Sequence, residues 1–407
     1  MAFYKPSLAS VFFLAGLALA NPSAPSGGFS IIQVQKGVAP KVGALDMLKT
    51  YRKYGARAPE NVLAAASDAE NAFMDFGFVP ATAEGSSDPV FLSPIKIGSD
   101  TLNVDIDTGS ADLWVFSIML PLMMINDHNT YNPFTSGIYK GGETWNVTYG
   151  DASGASGLVF ADTVVAGEVT ATSQAVGAAT SLSKAFVRDS TVDGVMGLAF
   201  SKLSSVVPHA QTTFFDTMKH TLPHPLFTAC LRKGAPGQYD FGYLNSSLYT
   251  GDIHYAPIDP ATGFWGVSST GYRVGSGPVV SSPFKAIADT GTSLLYLPSQ
   301  IVKDYYSKVD GAKYSPNVGG WTVPCDATMP ALATAIGNAL VTVPGDYFIY
   351  SAVDGTRCFG GMQSDEGIGF SILGGIFLKS QFVVFDASTD PPQIGFARQI
   401  GVDYPSS

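Results

Sequence analysis

Two aspartates stand in near-identical surroundings in this 407-residue chain. Asp107 opens Asp107-Thr108-Gly109-Ser110, and Asp289 opens Asp289-Thr290-Gly291-Thr292, 182 residues further on. Each follows a strand-like stretch, Val104-Asp105-Ile106 and Ala286-Ile287-Ala288. Two carboxyls brought to about 3 Å cannot both ionise easily, so one pKa rises and the other falls. The ionised member can activate water while the protonated member donates to a carbonyl oxygen. Such a pair titrates as a unit, and its chemistry suits hydrolysis of an amide. Glycine after each Asp-Thr lets the chain turn tightly and brings backbone N–H groups to the carboxylate. The hydroxyls of Thr108, Ser110, Thr290 and Thr292 can hydrogen-bond around the pair.

The elements that must position this pair also repeat. Val195-Met196-Gly197 ends 90 residues after Asp107, and Ile372-Leu373-Gly374 ends 85 residues after Asp289. Short apolar runs broken by Gly, Pro, Asn and Asp recur throughout, which predicts an all-β protein. We therefore expect two pseudo-symmetric β lobes, 88–256 with Asp107 and 257–400 with Asp289, with the cleft between them. The boundary is expected near Tyr255–Gly263. Helical spacing is predicted for Thr212–Leu222 and Ser299–Val309, each with one apolar face, and around Leu45, Leu48 and Tyr51. A site assembled from both halves of one chain predicts a monomer.

Residues 1–20 read as a secretory signal: Lys5, the apolar run Leu8–Leu19, and Ala18-Leu19-Ala20 as cleavage site. No later stretch reads as transmembrane, and Gly401–Ser407 lacks the hydrophobic tail of a lipid-anchor signal. Residues 21–80 are expected to be a removable pro-segment, ending between about 67 and 84, with Ala64–Asp88 as the processing region. Residues 1–70 hold seven of the 23 basic and four of the 33 acidic side chains, leaving the remainder at 16 against 29, net −13. That surface disfavours nucleic acid and anionic membranes and suits work in acid. In a secreted chain with three cysteines a disulfide is expected, Cys325 with Cys358 being the better pair because they share one lobe and flank turns. Cys230, in an apolar run, is expected to be a buried free thiol. Asn146-Val147-Thr148 and Asn245-Ser246-Ser247 are glycosylation sequons. The first lies so close to residues assigned below to the active site that no glycan is expected there.

The two motifs resemble those of the pepsin-like aspartic proteases, and the resemblance runs from about Gly28 to Gln399. It is closest to the secreted fungal aspergillopepsin and penicillopepsin type. Asp112-Leu113-Trp114-Val115 follows the first motif as in that family. Trp145–Gly157 resembles the flap hairpin that closes over substrate. Arg52-Lys53-Tyr54 resembles the pro-segment motif whose lysine sits on the two aspartates. The resemblance implies a secreted acid endopeptidase, made as a zymogen, that needs no cofactor or metal, acts on proteins or peptides and binds pepstatin-like inhibitors. It implies Asp107 and Asp289 as the catalytic pair. Substrate would be bound by Tyr149, Gly150, Asp151, Gly109, Gly291, Thr292 and Phe186. Thr108, Ser110, Trp114 and Thr290 would support them, with Tyr149 bonding to Trp114. Lys53 and Tyr54 would form the latch. Bulky apolar residues are expected at P1 and P1′. Asp151 either helps to accept Lys at P1 or is a turn aspartate bonded within its hairpin. Phe186 and Val195 either line an apolar pocket or are plain core.

Three positions depart from the pattern. Ala152 stands where the flap usually has Gly, and Gly375 where Asp is usual. Ile118–Ile125 is apolar where a polar surface loop is usual, which leaves a contact loop, a repacked core segment or a faulty gene prediction. There is no Gly-x-Ser-x-Gly elbow, no phosphate-binding loop and no metal motif among the five histidines. The rival from another class is a pepsin-like binding protein without catalysis. Such relatives lose an active-site Asp, Thr, Gly or flap Tyr, and all of these are present.

Overall fold

A computed structural model of the chain describes residues 27–76, 87–125, 127–148, 154–187 and 191–405. The expected signal at 1–20 and the flap positions Tyr149, Gly150, Asp151 and Ala152 lie outside the described residues.

The sequence repeat is a repeat of strand pairing. Asp100–Asp107 runs parallel to Gly194–Gly197, placing Asp107 opposite Gly197. Leu113–Val115 then lies antiparallel on the other side of Gly194–Gly197. In the second half Val280–Ala288 runs parallel to Ser371–Leu373, and Leu295–Leu297 lies antiparallel to that strand. Each Asp-Thr-Gly loop thus leaves a central strand and is backed by the apolar-apolar-Gly strand of its own half. The apolar side chains of these strands pack into the core, with polar Asn103 and Asp105 between them on Asp100–Asp107. Val104, Ile106, Met196, Ala288, Ile372 and Leu373 are all buried.

Around these motifs the first half builds a nine-stranded sheet and the second a seven-stranded sheet with a four-stranded one. A six-stranded sheet takes strands from three regions of the chain. In order these are Phe29–Ile32, Gln238–Phe241, Leu226–Cys230, Gln381–Asp386, Gln393–Gln399 and Tyr249–Pro257. Phe227 stacks on Phe385 at 4.5 Å and lies 5.6 Å from Phe241, which stacks on Phe29 at 4.6 Å. The core of this sheet therefore crosses the boundary expected between the halves.

The N-terminal segment is more structured than its sequence predicts. Phe29–Ile32 completes the edge of the six-stranded sheet, and Val34–Pro40 pairs with Ser87–Leu92 at the edge of the nine-stranded one. Gly43–Lys53 is the helix read around Leu45, Leu48 and Tyr51; it buries Ala44, Met47, Leu48 and Tyr51. Glu60–Phe76 is a second helix, running into the stretch read as a processing region. Its buried face uses Val62, Ala65 and Ala66, small residues that give little periodic contrast.

The two later helices are shorter than expected, Phe214–Met218 and Ser299–Tyr306. Thr213 caps the first by accepting from the Asp216 amide. Cys325 and Cys358 form a disulfide, and Cys230 is a buried free thiol. The segment Ile118–Ile125 divides. Leu120 is buried and Met124 and Ile125 pack against the Trp114 cluster, whereas Leu122 and Met123 are 76% and 85% exposed. Among the described residues no helix is long and apolar enough to cross a membrane.

Candidate active site

The two loops meet through their threonines. Thr108 and Thr290 each donate the backbone amide to the other's hydroxyl at 3.0 Å. The Thr108 hydroxyl donates to the Ala288 carbonyl at 2.8 Å, and the Thr290 hydroxyl donates to the Ile106 carbonyl at 2.6 Å. Each hydroxyl thereby satisfies a buried carbonyl of the opposite strand and a buried amide of the opposite loop. The glycines then bring the halves close. A Cβ on Gly109 would lie 2.5 Å from Asp289 Oδ1, and one on Gly291 would lie 2.6 Å from Asp107 Oδ1. No side chain fits at either place.

Within each loop the carboxylate is fixed by its own motif. Gly109 N–H donates to Asp107 Oδ1 at 2.8 Å, and the Ser110 hydroxyl donates to Oδ2 at 2.5 Å. Gly291 N–H donates to Asp289 Oδ1 at 3.0 Å, and the Thr292 hydroxyl donates to Oδ2. Both aspartates are buried. The unusual Gly375 donates its amide to the Thr292 carbonyl at 2.7 Å, so its backbone braces the second loop.

Lys53, the last residue of the helix Gly43–Lys53, reaches into this centre. Its Nζ lies 2.7 Å from Asp107 Oδ1, and 2.8 and 2.9 Å from the two oxygens of Asp289. Tyr54 donates its hydroxyl to Asp289 Oδ2 at 2.5 Å. Burial works against the charge on Lys53, but the two carboxylates outweigh it and hold the ammonium above its usual range. Burial also opposes ionisation of Asp289. The Lys53 charge, with bonding to Asp107, Lys53 and Thr292, reverses that and holds Asp289 down at about 2. Asp107 goes the other way: burial and the Asp289 charge raise it in spite of Lys53. One carboxyl of the pair thus holds a proton more readily than the other, the asymmetry a shared proton requires.

Trp114 is buried, stacks on Trp145 at 5.5 Å and meets Phe186 edge-on at 5.3 Å. Phe186 and Val195 are only partly buried against this cluster. Three polar residues of the cleft were not singled out from sequence: Asp105, Asp46 and Tyr350. Asp105 is raised to about 6, first by burial, with the charges of Asp107 and Asp289 adding and those of Lys49 and Lys53 opposing. Its place two residues before Asp107, on the same face of the strand, was the available signal. Asp46 on the N-terminal helix accepts from Tyr350, a contact 304 residues apart that carries no local signal.

The two sequons differ in access. Asn245 is buried and accepts from the Ser247 amide and hydroxyl. Asn146 is exposed, on the face of its strand opposite buried Trp145.

Paired carboxylates on two matched loops, backed by matched strands, fit the chemistry of an aspartic protease, and the chain belongs to the eukaryotic aspartyl protease family, whose model matches residues 90–399. The chain is 46% identical over 406 residues to aspartic protease pepA of Leptosphaeria maculans, covering 97% of this chain and 99% of that protein. It is 46% identical over 399 residues to penicillopepsin-1 of Penicillium rubens, covering 97% and 98%. Against aspergillopepsin-1 of Aspergillus fumigatus the identity is 46% over 381 residues, covering 92% and 93%. It is an aspartic endopeptidase of the penicillopepsin and aspergillopepsin type.

Proposed function

We propose that Asp107 and Asp289 hydrolyse peptide bonds by activating a shared water, and that residues up to about 80 hold the chain as a zymogen until acid releases them. The observation that carries this is the position of Lys53 Nζ, within 2.9 Å of oxygens from both carboxylates. An atom held there by both groups occupies the place from which water would attack a carbonyl. While Lys53 fills it, neither water nor substrate can. Once the helix leaves, the pair is left with one proton; the ionised carboxyl takes a proton from water as it attacks, and the protonated one donates to the carbonyl oxygen. The nitrogen leaves as it is protonated in turn. The expected lobes are 88–256 and 257–400.

Secretion is the reading supported by the charge and apolar pattern of residues 1–20. For substrate, Phe186, edge-on to Trp114 and partly buried, supports a preference for bulky apolar residues at P1 and P1′, and Asp151 is proposed to admit Lys at P1. The enzyme is proposed to act as a monomer and to bind pepstatin. The test is to acidify the secreted protein and follow cleavage of haemoglobin or casein with and without pepstatin, beside Asp107→Asn and Asp289→Asn. Pepstatin-sensitive cleavage lost in both variants is expected. No such cleavage between about pH 2.5 and 6 would favour a binding protein instead.

A further inference from the structure

The helix Gly43–Lys53 fills the cleft with more than Lys53. Its apolar face is Met47, Leu48 and Tyr51, but Asp46 breaks the pattern. Asp46 keeps some surface, yet its carboxylate turns into the protein. There it accepts from the Tyr350 hydroxyl at 2.9 Å and lies 3.5 Å from the Ser293 hydroxyl. Both hydroxyls belong to the enzyme body. Ser293 directly follows Thr292, which holds Asp289, and its carbonyl accepts from the Ile376 amide at 3.0 Å. Tyr350 stands on the strand Ile349–Ala352, paired with Arg357–Gly360. The two donors are therefore held independently of the helix, Ser293 directly beside the loop that carries Asp289.

We propose that the place filled by Asp46 is a side-chain subsite of the cleft that takes a hydrogen-bond acceptor from substrate, a carboxamide or a neutral carboxyl. This rests on the proposed removal of the N-terminal segment. An apolar subsite would be served by an apolar residue, as elsewhere on this helix; a buried carboxyl without donors would cost several kcal/mol. The cations near Asp46 are Lys41, 4.9 Å above the Tyr350 ring, and Lys49. Both lie on the segment that departs. The groups of the enzyme body that interact with Asp46 include Tyr350 and Tyr296, and neither carries positive charge. A neutral acceptor therefore suits the emptied subsite better than a carboxylate. Burial already raises the Asp46 carboxyl in spite of Tyr350, Lys49 and Lys41.

The experiment uses the activated enzyme and peptides sharing one apolar scissile pair, with Gln, Glu or Leu placed at each position in turn. At one position Gln is expected to exceed Leu in kcat/KM by about tenfold, the worth of one buried hydrogen bond. Glu should match Gln near pH 3 and fall behind near pH 6, about where a carboxyl has lost its proton. Tyr350→Phe should remove the advantage, read as the ratio of kcat/KM for the Gln peptide to that for the Leu peptide at the same position. If the Leu peptides also slow, Ser293→Ala carries the comparison. The proposal is overturned if the parent peptide is cleaved but Gln gains nothing at any position, or if its gain survives both variants. Failure to cleave the parent peptide at any acid pH counts instead against the catalytic reading.

Discussion

Thr108 and Thr290 bind each other reciprocally, amide to hydroxyl in both directions at 3.0 Å. Neither loop can shift without unpairing a group in the other. Thr108→Ala leaves the Ala288 carbonyl and the Thr290 amide without their partner, a cost of about 2–4 kcal/mol. A lower urea midpoint and a large fall in kcat are expected. Thr108→Ser keeps the hydroxyl and should retain most of both; equal loss in the two variants would show that the methyl group, not the hydroxyl, matters.

The pH response of the proposed latch follows from Asp289. A carboxyl held down at about 2 gives stability that is complete above its ordinary pKa near 3.8 and is lost as pH falls through about 2. Asp107 has the opposite sign, since a raised pKa makes protonation favour the closed form. Release of the N-terminal segment should therefore steepen between about pH 4 and 2 and follow Asp289. In Lys53→Met that acid-dependent arm should vanish, and inhibition at neutral pH should weaken. Segment release measured by stopped-flow fluorescence against pH checks this, and an unchanged profile would remove Lys53 from the latch.

The disulfide joins residues 33 apart. In the loop-entropy account its loss costs about 3–4 kcal/mol. Cys325→Ser with Cys358→Ser should lower the thermal midpoint by several degrees. Because the bridge ties the strand Arg357–Gly360 to the end of Gly320–Pro324, and to neither Asp-Thr-Gly loop, kcat at low temperature should stay near the parent value.

Glycan attachment is expected to follow access. Mass loss on glycosidase treatment should map to Asn146 and not to Asn245, whose side chain is buried and bonded to Ser247. This reverses the preference drawn from the sequence. Asn245→Gln should destabilise the fold by about 1–3 kcal/mol, because its acceptor would be displaced. Peptide mapping that found sugar on Asn245 would contradict this burial.

What the sequence made legible was whatever a short window carries: two loops, two backing strands, two amphipathic helices and a basic motif ending in Lys53. What it hid depends on distance or on small side chains. Phe29–Ile32 is four residues long, and its partner strand lies over 200 residues away. Glu60–Phe76 buries alanines, which contrast little with their neighbours, so it read as a processing stretch. Asp46 carries no local signal, because Tyr350, which donates to it, lies 304 residues further on. The apolar run Ile118–Ile125 could not be divided by pattern, yet Leu120 is core and Met123 is surface.

The six-stranded sheet sets a condition on how the chain is made. Phe29–Ile32 is synthesised long before Gln381–Asp386 and Gln393–Gln399. Until then Phe227 has no Phe385 to stack on, and the strand carrying it has one bare edge. Contacts this far apart close slowly and leave apolar surface waiting. A nascent chain stopped short of residue 381 would present that edge to its neighbours, so truncated forms of this protein should aggregate rather than fold as a half-molecule.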